Sequence, residues 1–294
     1  MTWNQWITKL ASALGAGVLL FPSLAMSKAE PVSMARQGKW VVNYDDDSCH
    51  LMGAFGTGKD EIIMRLSRYE PGDGFVLTLY GQSLRTLEAS SSVKLAFSPT
   101  VKLHYLESMN GLAGKVPMVI LGGTSDFLDR PSPDDGFELP RITPEQEAKV
   151  TGLTYQFEHH NLVRLEFGSM ASPLKAMREC NADLVKFWGL DPVVQEKLTV
   201  TPKPKTSPGT WLHPDDYPYE PLREGKGGYV RFRLEVDEKG AVSGCHIQLK
   251  MKQPEFDKLT CELISKRAYF SPAIDAAGKP TKSYFVEAVR WVIQ

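Results

Sequence analysis

The chain has 294 residues, 42% of them hydrophobic and 23% charged, with a formal net charge of −1. Such a length admits two compact domains at roughly 100–200 residues each, and this composition excludes wholesale disorder. The near-neutral balance lacks the basic stripe that nucleic-acid binding demands, so no nucleic-acid partner is expected.

Residues 1–29 read as a targeting segment. Lys9 precedes an uncharged run, LASALGAGVLLF, which Pro22 breaks and small residues follow. That is the layout of a secretory signal, and the run is shorter than the roughly 20 apolar residues a spanning helix needs. Ala25 with Ser27, or Ser27 with Ala29, would serve as cleavage frames. The expectation is an exported, periplasmic protein with a cleaved signal. The alternative is an uncleaved inner-membrane anchor, the one membrane contact expected. Export also makes disulfides durable. Cys49, Cys180, Cys245 and Cys261 all lie beyond the signal and allow three pairings. With a domain boundary near residue 200, one bridge in each domain is the economical answer. There is no C-x-x-C pair and no histidine at zinc-finger spacing, so neither metal nor cofactor is expected.

Residues 39–191 are expected to form a mainly β domain with a terminal helix. WVVNY, FVLTLYG, VKLAF, VKLHYL, VPMVILGG and LVRLEF are short apolar runs rich in β-branched and aromatic residues, and Glu70-Pro71-Gly72-Asp73-Gly74 is a turn. TPEQEAKVTGL has a helix start, with Thr143 as cap and Glu145 and Glu147 in the first turn. Residues 173–188 place Leu174, Met177, Leu184 and Phe187 near helical spacing. Cys180 rides on that helix and Cys49 follows an early strand, so a bridge between them would pin the last element to the first. Residues 192–213 contain TVTPKPKTSPGT, whose prolines favour extended chain, and read as a linker.

Several motifs in this region resolve into bland structure. GAFGTGKD carries Asp60 where a phosphate-binding loop needs Ser or Thr, so a glycine-rich turn is expected. Asp45-Asp46-Asp47 lacks the spacing and glycine of a calcium loop and reads as a solvated turn. His159 and His160 are adjacent, which on a strand points them to opposite sides, and FGSMAS lacks the second glycine of a nucleophile elbow. The chain is therefore not expected to be an enzyme, and no catalytic residue is assigned. A rival reading places an active site in the first domain, where a pocket would have to gather His104, Asp126, His159 or His160. A structural envelope protein is a third.

Residues 214–294 have the clearest pattern. In YVRFRLEV, Val230, Phe232, Leu234 and Val236 face one way and Tyr229, Arg231, Arg233 and Glu235 the other, the period of a half-buried strand. Asp237-Glu238-Lys239-Gly240 turns the chain into AVSGCHIQL, with Cys245, Ile247 and Leu249 on one face. PEFDKLTCELISKR reads as an amphipathic helix with Phe256, Leu259 and Leu263 inward, and SYFVEAVRWVI closes the chain as a strand. The result is an α+β chain ending in a β-β-α-β module: a three-stranded sheet covered on one side, with Cys245 on a strand and Cys261 on the helix.

This region resembles the C-terminal domain of the TonB family. The resemblance rests on Tyr217-Pro218, on Gly225 and Gly228, on Val236 with Asp237 and Gly240, and on Phe270, Pro272 and Ala273. It implies a periplasmic domain that binds a protein partner, an outer-membrane transporter segment, by adding that segment to the edge of its last strand. Here the edge strand would carry Tyr284, Val286, Ala288, Arg290 and Trp291; for Trp291 core packing is the favoured role.

Overall fold

The computed structural model describes residues 30–86, 90–100, 102–125, 127, 141–249 and 253–293. The expected signal (residues 1–29), Asp126 and residues 250–252 lie outside them.

The first domain is a barrel. Its strands are β1 (Val32–Asp45), β2 (Ser48–Phe55), β3 (Ile62–Arg68), β4 (Phe75–Tyr80), β5 (Ser90–Phe97), β6 (His104–Ala113), β7 (Val116–Ser125), β8 (Gly152–Phe157) and β9 (Val163–Glu166). They close in the order β1-β2-β3-β4-β7-β6-β5-β8-β9, with β1 and β9 parallel and the other neighbours antiparallel. Alternation fills the interior: Cys49, Leu51 and Phe55 from β2, Ile62, Met64 and Leu66 from β3, and Phe75, Leu77 and Leu79 from β4 are all buried. Closure removes every exposed sheet edge. The first strand begins at Val32, seven residues before the expected boundary at residue 39, and WVVNY is only its second half. A register shift between Gln37 and Val41 bends it between β2 and β9.

Helix α1 (Pro144–Lys149) is capped reciprocally by Thr143 and Gln146. Buried Glu147 meets Arg178 of α2 (Ala171–Phe187) at 2.5 Å. α2 sets Leu174, Met177, Cys180 and Leu184 into the barrel core, and the Cys49–Cys180 bridge spans Cα atoms 6.1 Å apart. Phe187, expected on that apolar stripe, is 72% exposed; Val185 is buried instead, because the stripe drifts around the helix axis.

Residues 192–213 do not act as a free linker. Helix α3 (Pro192–Glu196) is followed by β10 (Lys203–Pro204), and the 3-10 turns and helix α4 (Tyr219–Arg223) come next. Thr199 and Val200 bond Ile274, and Trp211 is 2% exposed in the core of the second domain. Extended proline-rich chain lacks donors but keeps its carbonyls, and a tryptophan adds a large apolar area to bury.

The module comprises β11 (Gly228–Val236), β12 (Val242–Leu249), α5 (Pro254–Arg267), β13 (Phe270–Ser271), β14 (Ala273–Ile274), β15 (Pro280–Thr281) and β16 (Ser283–Trp291). β10 pairs with β13 and β14 with β15; the main sheet has the order β12-β11-β16, antiparallel throughout. α5 buries Phe256, Thr260 and Ile264, while the expected Leu259 and Leu263 are only half-buried, so the inward stripe runs at spacing four. The Cys245–Cys261 bridge has Cα atoms 5.5 Å apart.

The two bridges close loops of 131 and 16 residues. The chain-entropy argument assigns them about 5 and about 3 kcal/mol. Urea unfolding of Cys49→Ala/Cys180→Ala is expected to show the larger loss of stability, and Cys245→Ala/Cys261→Ala the smaller.

Candidate partner-binding edge

The sheet is covered on both faces, not on one. Val230, Phe232, Leu234 and Val236 meet α5 as the alternation requires, but Arg231 and Arg233 on the opposite face are also buried, at 8% and 2% exposure. Barrel residues cover them. The Arg233 guanidinium lies 4.3 Å from the Trp188 ring and reaches Asp47 at 3.4 Å and Glu235 at 3.5 Å. Burial pulls the Arg233 pKa below its usual value while Asp47 and Glu235 hold it up. Arg231 stacks on Tyr69 at 4.9 Å, and Gln248 donates to the carbonyls of Asp47 and Tyr69. Asp47, expected in a solvated turn, is thus committed to the seam, and Trp188 donates to it at 3.1 Å.

Beside the seam runs a buried polar chain. His50 sits between Ser48 on Nε2, at 3.0 Å, and Ser67 on Nδ1, at 2.9 Å. Its pKa is lowered by burial and then by Arg65, against the opposing pull of Asp45. This group leaves no signal in the sequence, because serine and histidine on neighbouring strands have no spacing signature. Ser67, Tyr69 and Arg231 border a small cavity of about 130 Å³. Ser67 is 1% exposed and bonded to His50, which suits a structural hydrogen bond and not a nucleophile open to substrate.

β16 is the outer strand of its sheet, and among the described residues no strand pairs with its second edge. Its odd residues Phe285, Val289 and Trp291 pack on the α5 side, and Glu287 stands in the same row opposite Phe232. The backbone groups of the even residues point outward: Ala288 N–H is taken at 2.9 Å by the Glu287 carboxylate, and Lys282 C=O by the Gln195 amide at 2.9 Å. Along this edge lies a groove of about 620 Å³, walled by Trp211, Leu212, Tyr217, Leu222 and Val289. Arg267 holds that wall in place, bonding both Asp216 oxygens and the Trp211 carbonyl.

The structure sorts the expected edge residues. Tyr284, Val286, Ala288 and Arg290 carry the outward backbone groups. Their side chains lie on the barrel side, where Tyr284 stacks on Trp188 at 5.0 Å and Arg290 comes within 3.9 Å of Glu107. Trp291 belongs to the core, 5% exposed, against Tyr217 and Phe256 with its N–H on Thr260. Its indole is unavailable to a partner. The rival enzyme site is not assembled by the described residues: His104 opens β6, His159 and His160 lie in the β8–β9 turn with His159 at φ 60°, and neither cavity is lined by them.

The residues of the family signature have packing reasons. Tyr217 stacks on Phe256 and Trp291 and donates to the Lys226 carbonyl. A Cβ on Gly228 would lie 2.7 Å from the Phe256 ring, and one on Gly240, at φ +83°, 2.0 Å from the Phe270 carbonyl oxygen. Asp237 accepts from the Lys239 and Ala241 N–H groups, which closes the hairpin turn.

These features define a class: a small, disulfide-tied sheet-and-helix module mounted on a β-barrel, with β16 as one of the two outer strands of its sheet. Residues 213–293 match the family model of the Gram-negative bacterial TonB protein C-terminal, so this module is TonB-like. A comparison with curated proteins gives no match.

Two outcomes follow from the seam. Arg233→Ala takes the cation from Asp47, leaving it the Trp188 N–H, and uncovers the Trp188 ring; it is expected to cost about 3 kcal/mol in urea unfolding, with Arg233→Met costing less because it keeps the packing. His50 has its folded pKa depressed, so its contribution is complete above its unfolded pKa of 6.5 and declines as pH falls below it. Unfolding at pH 7.5 and pH 5.5 is expected to show this loss, and His50→Gln to reduce it.

Proposed function

We propose that this chain is an exported, TonB-like binding protein of the cell envelope that takes an extended segment of another protein onto the outer edge of β16. The observation that carries the reading is the unpaired edge of β16 with an apolar groove beside it. Strand addition draws affinity from main-chain hydrogen bonds and specificity from pockets for alternate side chains, and this edge offers both. The likeness of residues 213–293 to the TonB C-terminal domain supports a segment of an outer-membrane transporter as the partner. Both disulfides suit an oxidising periplasm. The barrel is the platform that fixes the sheet. Because residues 192–213 are bound to the module and form no free spacer, we assign binding and not force transmission.

Ala288→Pro tests the reading. The Ala288 N–H points away from β11, so proline deletes an outer donor while sparing the β11–β16 ladder. The variant is expected to unfold within a few degrees of the parent, at about the cost of a tolerated edge proline. It should fail to retain an outer-membrane protein that the parent chain captures from envelope extract. Equal capture of that protein by both chains overturns strand addition at this edge.

A further inference from the structure

The row of side chains that β16 turns toward α5, Ser283, Phe285, Glu287, Val289 and Trp291, carries a single charge, at Glu287. Glu287 is half-buried beside Phe232 and the Trp211–Leu212 wall. A carboxylate there is costly unless something accepts its charge. Its Oε1 curls outward to the Ala288 N–H and so occupies the position that the carbonyl of an added strand would take. At the other end of the edge, Gln195 of α3 accepts from the Ser283 hydroxyl at 2.7 Å and donates to the Lys282 carbonyl at 2.9 Å, closing the strand's beginning. The open edge therefore runs only from Tyr284 onward.

We propose that Glu287 is both the guard and the reader of this edge. The partner is a short extended peptide that brings a lysine or arginine to the Glu287 carboxylate as its own backbone carbonyl takes over the Ala288 N–H. The inference rests on the strand-addition reading and adds to it the chemistry of the partner. When an incoming strand displaces the carboxylate from Ala288, the strand and the apolar wall also screen it from water. A displaced carboxylate in that position must find a cation, and the nearest basic side chain of β16, Arg290, is turned to the barrel side toward Glu107. A neutral or acidic segment would leave the charge unpaired, and a basic one satisfies it. An inward-pointing charge on an edge strand also deters self-pairing, so the guard role has a physical precedent.

The test is selection of displayed random peptides of nine residues, the length of β16, on the full mature chain and three variants. The parent chain is expected to enrich peptides with one basic residue at a constant register, binding about fivefold more tightly than their glutamine counterparts, the scale of a rim ion pair. Glu287→Lys should shift the enrichment to acidic residues at the same register, and Glu287→Ala should bind the glutamine peptides more tightly than the parent does. Ala288→Pro should retain none. If Ala288→Pro abolishes retention but the parent and Glu287→Lys select the same sequences, the edge reading stands and this inference is overturned. If Ala288→Pro retains the parent's peptides, or the parent selects no peptide, both fall. Self-association of Glu287→Ala with unchanged peptide preference reduces Glu287 to a guard against pairing of copies and overturns its reading role.

Discussion

The structure depends on a buried arginine. Arg233 sits on the face of the C-terminal sheet that amphipathic patterning assigns to solvent, yet it is enclosed by Trp188, Asp47 and Glu235. A guanidinium tolerates that position because its flat face stacks on an aromatic ring while its rim meets carboxylates. Breaking the arrangement would leave Asp47 without its cation and an indole uncovered, so the barrel and the sheet hold each other. Arg231 on Tyr69 and Gln248 on two barrel carbonyls repeat the same logic along the seam.

Once both faces of the sheet are occupied, by α5 on one side and the barrel on the other, the module has little left to offer a partner except its rim. On β16 that rim is flanked by the segment that carries Trp211, fixed by the bidentate Arg267–Asp216 pair. An edge strand is a hazard as well as a tool, since its unsatisfied backbone groups pair with any extended chain. Gln195 and Glu287 each satisfy one such group from within the molecule. The strand addition proposed for this edge would replace internal hydrogen bonds by external ones, which favours selectivity over raw affinity.

The family signature and the proposed binding edge are made of different residues. Gly228 and Gly240 exist to let Phe256 and the Phe270 carbonyl approach, and Tyr217 exists to brace Phe256 and Trp291. They are recognisable because close packing leaves few alternatives. Glu287, Gln195 and the Trp211 wall have no such motif. Glu287 alone left a trace, as the single charge in the alternating apolar row of SYFVEAVRW, and it could have been found by asking which residue breaks the period.

Local chemistry settled much of this protein in advance. Period-two alternation placed β11, runs of β-branched and aromatic residues placed β4 and β16, and the Thr143 cap began α1. These are readable because neighbours along the chain cause them. Closure of the barrel, the burial of Arg231 and Arg233 and the docking of residues 192–213 were decided only by tertiary structure. Alternation tells which residues share a face; it cannot tell what will come to cover that face, because the covering groups lie far away in sequence. Asp47 and Arg233 are 186 residues apart, and no local pattern in either segment anticipates their meeting.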